Sequence, residues 1–168
     1  MNDAHLHLLV NHVPILGTLF ALLLGAYGAV RQQPAVVRAA FLALIVSGIG
    51  GYVAQETGEG AEEIVEELGI DHRMIHEHEE AAEWATWAGL GLAAVALGVL
   101  MWRRREPEVG TIPTVGVLVF AAVVFAMMAR VGNLGGEIRH TEVRDGATAA
   151  PTGGADTSGE EGDHDDDD

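Results

Sequence analysis

Four apolar segments, separated by two short polar turns and one longer acidic stretch, dominate the hydrophobic pattern of this chain. They cover residues 13–30, 39–54, 84–102 and 112–129. A helix needs about 20 mostly apolar residues to cross the hydrocarbon core of a bilayer, and each segment reaches or approaches that length. Small residues recur at every fourth position in the first two segments, which is typical of faces on which membrane helices pack. The pattern therefore predicts an all-α integral membrane four-helix bundle in a lipid bilayer.

Two local features modify this helical pattern. Pro14 falls inside the first predicted helix, where its missing N–H removes a backbone hydrogen bond, so we expect a distortion beside His12. Glycines at 58 and 60 predict the end of the second helix. Apolar residues then recur at helical spacing among glutamates over residues 61–68, and this predicts a separate, short amphipathic outer helix capped by Gly69.

Composition limits the possible chemistry. The 168 residues contain no cysteine and no lysine, which excludes disulfides, iron–sulfur clusters and thiolate zinc sites. The net charge of −16 argues against nucleic acid as a partner. Residues 145–168 carry nine acids and no arginine, and this predicts a disordered acidic tail after a membrane domain of residues 1–144. We expect no cleaved signal peptide, because the first apolar segment lacks a preceding basic region.

Arginine placement predicts the orientation of the bundle. Arg31 and Arg38 lie in the turn between the first two segments, and Arg103, Arg104 and Arg105 lie in the turn between the last two. Cytoplasmic loops of membrane proteins carry an excess of such cations. We therefore expect both turns in the cytoplasm and both termini outside the inner membrane of a bacterium.

Seven of the eight histidines then fall at the outer face of the bundle. They are His5, His7, His12, His72, His76, His78 and His140. Imidazoles from different helices hold b-type haem in membrane cytochromes, and glycines near these histidines give room for a macrocycle. On this interpretation His12 and His78 are the expected pair of haem ligands. His7 and His140 are the further candidates.

The same residues allow a second interpretation, a site for a metal ion or for protons. Glu137 and His140 have the Glu-x-x-His spacing of di-iron bundles, although this motif occurs only once in the chain. The additional candidate metal ligands are His5, His76 and Glu56. Such a set suits zinc, copper or iron, and the mixture of His and Glu also suits proton sensing.

The run from His7 to Ile15 resembles the opening motif of a known family, which reads His-Pro-x-x-Val-His-Phe-Pro-Ile. His7, His12, Pro14 and Ile15 match this motif, whereas Leu8, Asn11 and Val13 depart from it. Three further features are similar: the sequence Glu-Thr-Gly at 56–58, the residues that follow His78, and the Gly-Gly pair before His140. The resemblance covers about residues 5–143 and is to the bacterial four-span membrane family known as domain of unknown function 2231. It implies a small membrane protein and, from a role suspected for that family, haem binding.

These observations predict a non-catalytic electron-transfer module or a small subunit of a redox complex, with a redox partner and possible self-association in the membrane. The alternative is a structural or sensor membrane protein that binds a metal ion or protons. The sequence contains no nucleophile constellation and no phosphate-binding loop, so hydrolase and kinase activities are not indicated.

Overall fold

The computed structural model describes residues 3–67 and 72–139, apart from the side chains at 3, 4, 59, 61–67 and 139. The described residues form five helices: α1 Asp3–Val10, α2 His12–Val30, α3 Pro34–Glu67, α4 His72–Trp102 and α5 Thr111–Arg139. Four segments are long and apolar enough to cross a membrane: His5–Val30, Pro34–Gly58, His72–Trp102 and Thr111–Ile138. The predicted all-α, four-span architecture is confirmed.

The four long helices form a closed ring of neighbours. α2 packs on α3, α3 on α4 and α4 on α5, and α5 returns to pack on α2. The centre of the bundle contains the fully buried side chains of Phe41, Leu44, Leu92 and Val124. The outward faces remain apolar, as expected of helices whose solvent is lipid, with Phe20 and Val119 each about 60% exposed.

Glycine allows the closest approach between helices at Gly48 of α3. A Cβ atom at this position would lie 2.7 Å from the carbonyl oxygen of Gly89 on α4 and 2.8 Å from the Cβ of Ala93. Gly17 of α2 similarly faces Ser47 of α3. Such contacts stabilise membrane bundles through close packing, since lipid is as apolar as the helix surfaces.

The first span is broken where the sequence predicts a distortion. α1 ends at Val10, Asn11 forms a turn, and α2 begins at His12. Pro14 cannot donate to the carbonyl of Val10, and its ring crowds that carbonyl, so a continuous helix is disfavoured here. The hydroxyl of Ser47 donates to the Pro14 carbonyl at 2.8 Å and fixes this end of α2 against α3. α1 packs mainly on α3.

The prediction of a separate amphipathic outer helix needs correction. Residues 61–67 continue α3, which runs for 34 residues without a break at Gly58 or Gly60. Glycine inside a helix costs only about 1 kcal/mol relative to alanine and, unlike proline, leaves the hydrogen-bond ladder intact. Other predicted features lie outside the described residues, namely the cap at Gly69, the ligand His140 and the acidic tail.

Candidate functional site

α1 places His7 against the outer end of α3. The Nδ1 atom of His7 lies 2.9 Å from the carbonyl oxygen of Ala54, so Nδ1 carries the proton and donates it. The hydroxyl of Thr57 lies 3.5 Å from the same nitrogen. The ring fits because Gly58 has no side chain: a Cβ there would lie 3.2 Å from Cε1 of His7. The Nε2 atom of His7 is therefore the nitrogen left with a lone pair for a ligand or a proton.

α4 places His78 half-buried against α5. Its Nδ1 atom is buried and has no hydrogen-bond partner among the described residues. The ring interacts with the backbone carbonyl of Val131 on α5. Gly135, one turn further along α5, allows this contact, because a Cβ there would lie 3.1 Å from Cε1 of His78. A buried polar atom without a partner is costly and rare in native structures, and it marks a place where a ligand can bind.

His7 on α1 and His78 on α4 lie at the same end of the bundle, against the ends of α3 and α5. We call these two residues the outer histidine pair. Each ring borders a glycine of a neighbouring helix. Each ring also has a nitrogen that no described side chain satisfies, and these two nitrogens are the candidate ligand atoms of the site.

His12, the ligand expected to pair with His78, is exposed, and its Nδ1 pairs with the neighbouring side-chain oxygen of Asn11. His7 lies seven residues before Pro14, so helical periodicity places it on the face that α2 buries through Pro14 and Thr18, whereas His12 lies off that face. His140 lies outside the described residues, so its part in the site stays a prediction.

The predicted metal ligands do not converge in the described part of the chain. His5, His76 and Glu56 are exposed. Glu137 accepts a hydrogen bond from Nδ2 of Asn133 at 2.6 Å, one turn earlier on α5. Among the described residues, no three His, Asp or Glu side chains are grouped so that they could hold a metal ion. The Glu137–His140 motif lies partly outside these residues.

Sequence reasoning missed the groups that orient the outer histidine pair. The carbonyls of Ala54 and Val131 carry no signal in the sequence, since every residue has a carbonyl. Thr57 carries a weak signal: it is a hydroxyl residue inside the Glu-Thr-Gly sequence, and it is buried. Its hydroxyl bonds back to the carbonyl of Val53 at 2.9 Å.

The fold defines the class of protein: a membrane protein with four helices that are long and apolar enough to span a bilayer. The chain belongs to the family described as predicted membrane protein DUF2231, whose model matches residues 4–144. This match confirms the family indicated by the motif at residues 7–15. No curated protein and no solved structure matches the chain.

Proposed function

We propose that this protein binds one b-type haem through the outer histidine pair and serves as an electron-transfer module of the membrane. The observation that carries the proposal is the arrangement of His7 and His78. The two imidazoles stand on separate helices at one end of the bundle, and each has a ring nitrogen that no side chain described in the structure satisfies. Two neutral imidazoles from separate helices form the axial ligand set of membrane b-type cytochromes.

The surroundings of the pair support this ligand set. A ligating histidine generally donates its other N–H to a carbonyl, which fixes the tautomer and the ring orientation. The Ala54 carbonyl does this for His7. The Val131 carbonyl lies beside the His78 ring. Glycines at 58 and 135 let the two rings pack closely against α3 and α5. Haem bound here would supply one-electron transfer, and the protein would contribute the two ligands and their orientation.

The absorption spectrum of the purified protein tests this proposal. The protein is expressed with ample haem, purified in detergent and reduced, and we expect sharp b-type bands. His7→Ala and His78→Ala should abolish or convert these bands. His76→Ala is the matched control, because His76 lies on the same helix as His78 and is exposed. His12→Ala separates the two candidate pairs, and we expect it to leave the bands unchanged.

Several outcomes would contradict the proposal. Purified protein without a Soret band would exclude haem, and stoichiometric zinc or copper in that sample would favour a metal site. Loss of the bands in His12→Ala but not in His7→Ala would show that the ligands are His12 and His78, the pair predicted from the sequence.

We further propose that the protein lies in a bacterial cytoplasmic membrane with both termini outside. Five arginines lie at one end of the bundle, in or beside the two short turns, and support this orientation. The outer histidine pair then faces the exterior. A reporter active only in the cytoplasm, fused to the C-terminus, should be silent. A strong signal would show that the C-terminus is cytoplasmic and that the outer histidine pair faces the cytoplasm.

A further inference from the structure

A groove opens between α4 and α5 on the lipid-facing side of the outer end. Its lining residues are Glu77, Glu80, Ala81, Trp84, Met127 and Arg130. The groove has one apolar part and one charged part. Trp84, 65% exposed, and Met127 form the apolar part. Each wall has a charged residue about one helical turn further out, Glu80 beyond Trp84 and Arg130 beyond Met127.

The change from apolar to charged residues occurs at the same level on both walls. On α4, the residues from Trp84 to Trp102 include no charged residue, whereas glutamates precede Trp84 at 83, 80, 79 and 77. On α5, Arg130 is the first charge after the apolar run that begins at residue 111. Tryptophan is enriched where hydrocarbon meets headgroups. The groove therefore spans the membrane interface, with its apolar part facing the acyl chains and its charged part facing the headgroups.

Opposite charges line this groove without pairing with each other. Glu77 forms an ion pair with Arg73 at 3.2 Å, which accounts for one carboxylate. Glu80 and Arg130 both line the groove, yet within the described part of the chain they form no ion pair or hydrogen bond. An arginine at the interface with no partner is unfavourable in a low-dielectric surrounding. A molecule that carries both a cation and an anion can satisfy both side chains at once.

We propose that this groove binds a phospholipid with a zwitterionic headgroup that carries a primary amine, such as a phosphatidylethanolamine. Its phosphate lies at the Arg130 guanidinium, which donates in a fork that fits phosphate oxygens. Its ammonium group donates to the Glu80 carboxylate. One acyl chain lies along Trp84 and Met127. The site is separate from the outer histidine pair and does not depend on what that pair binds.

Native mass spectrometry of the full-length protein tests the lipid site. The delipidated protein is offered an equimolar mixture of phosphatidylethanolamine, phosphatidylcholine and phosphatidylglycerol with identical acyl chains. We expect one ethanolamine lipid to be retained with a preference of about tenfold over choline lipid, because only the primary ammonium can donate to Glu80. We expect glycerol lipid to bind more weakly than ethanolamine lipid, because its headgroup has no cation.

Two variants, each with a matched control, test whether Glu80 and Arg130 give the selectivity for ethanolamine lipid. Glu80→Gln should equalise ethanolamine and choline lipids, and Arg130→Gln should lower the retention of both about tenfold. Glu83→Gln and Arg104→Gln remove exposed charges outside the groove and should behave like the unaltered protein. All four changes are at exposed positions, so size exclusion and helical circular dichroism should be unchanged. Equal retention of the three lipids by the unaltered protein, or an equal loss in Glu83→Gln and Glu80→Gln, would overturn the proposal.

Discussion

The two ends of the bundle are built in opposite ways. At the arginine end, Nη2 of Arg38 on α3 donates to the carbonyl of Arg103 at 2.9 Å and to the carbonyl of Glu106 at 2.7 Å. This cation therefore satisfies the free carbonyls that follow α4 and holds the turn before α5. Val109 in that turn is 2% exposed and continues the core. Gly110 allows the chain to turn here with a positive φ of 92°.

At the histidine end, glycines border both imidazoles of the outer pair. A buried side-chain nitrogen without a partner among the described residues occurs at each end, Nδ1 of His78 here and Nε of Arg103 at the other. The first span is also broken at the histidine end, at Asn11, whereas the arginine end has continuous helices up to its turns. The arginine end is thus held by bonds from a side chain to the backbone, and the proposed ligand site lies at the opposite end. Substitutions at the two ends should therefore affect different measurements.

The largest effect is expected between the two ends, where a substitution damages both. Gly48→Val places side-chain atoms against the Gly89 carbonyl, where a Cβ alone would lie 2.7 Å away. Because backbone atoms of α4 cannot move aside cheaply, we expect a loss of about 3 kcal/mol or more in the free energy of unfolding. Thermal unfolding in detergent measures this loss. The control is Gly98→Ala, where a Cβ has no neighbour within 4 Å. Equal stability of the two variants would contradict the close α3–α4 packing.

The arginine end should respond in stability alone. Arg38→Gln shortens the side chain and removes a charged donor from two carbonyls, and we expect a loss of about 2 kcal/mol in the free energy of unfolding. Cofactor content per folded protein should not change. Arg104→Gln, an exposed arginine of the same end, should change stability little. Loss of cofactor in Arg38→Gln would show that the two ends are coupled.

The histidine end should respond in binding rather than stability. Gly135→Ala puts a methyl group 3.1 Å from Cε1 of His78 and displaces the ring. Since groups that orient a ligating histidine change metal affinity about tenfold or more, we expect a loss of haem affinity of about tenfold. Gly136→Ala is the matched control, because no atom lies within 4 Å of a Cβ there. Haem titration of both variants measures the affinity. Identical affinities would show that His78 is not a ligand of the haem.

The smallest effect is expected from the buried hydroxyls near the break in the first span. Ser47 shares a hydrogen bond of 2.8 Å with Thr18 and donates to the carbonyl of Pro14. Ser47→Ala should lower the free energy of unfolding by about 1 kcal/mol, which is typical of hydrogen bonds between membrane helices. It should also lower cofactor occupancy slightly, because this bond anchors the start of α2 beneath α1. Thr114→Val is the control, because the Thr114 hydroxyl donates to the nearby carbonyl of Gly110, at the start of its own helix. Equal cofactor occupancy in the two variants would show that the bond from Ser47 to Pro14 does not affect the histidine end.

Most of the fold could be predicted from the sequence, whereas the contacts of the site histidines could not. The four spans, the distortion at Pro14 and the arginine turns follow from local composition and are present in the structure. His12 was the expected partner of His78, but it is exposed. His7 lies seven residues before Pro14, on the face that α2 buries, and its ring bonds to the carbonyl of Ala54 on α3. That carbonyl belongs to a distant part of the chain, and no local pattern identifies it as a partner.

The sequence by itself determined which segments enter the membrane, because transfer into lipid depends on the apolar content of each segment and not on its neighbours. It also determined that the histidines gather at one end and that the two short turns at the other end carry five arginines. Only the structure decided that α3 continues through Gly58 and Gly60. Only the tertiary structure decided that Arg38 bonds to the distant turn at 103–106 and that the His78 ring packs against Gly135. The last two features depend on how one helix is rotated and packed against another. Contacts between residues far apart in sequence set that rotation, and no local pattern encodes them.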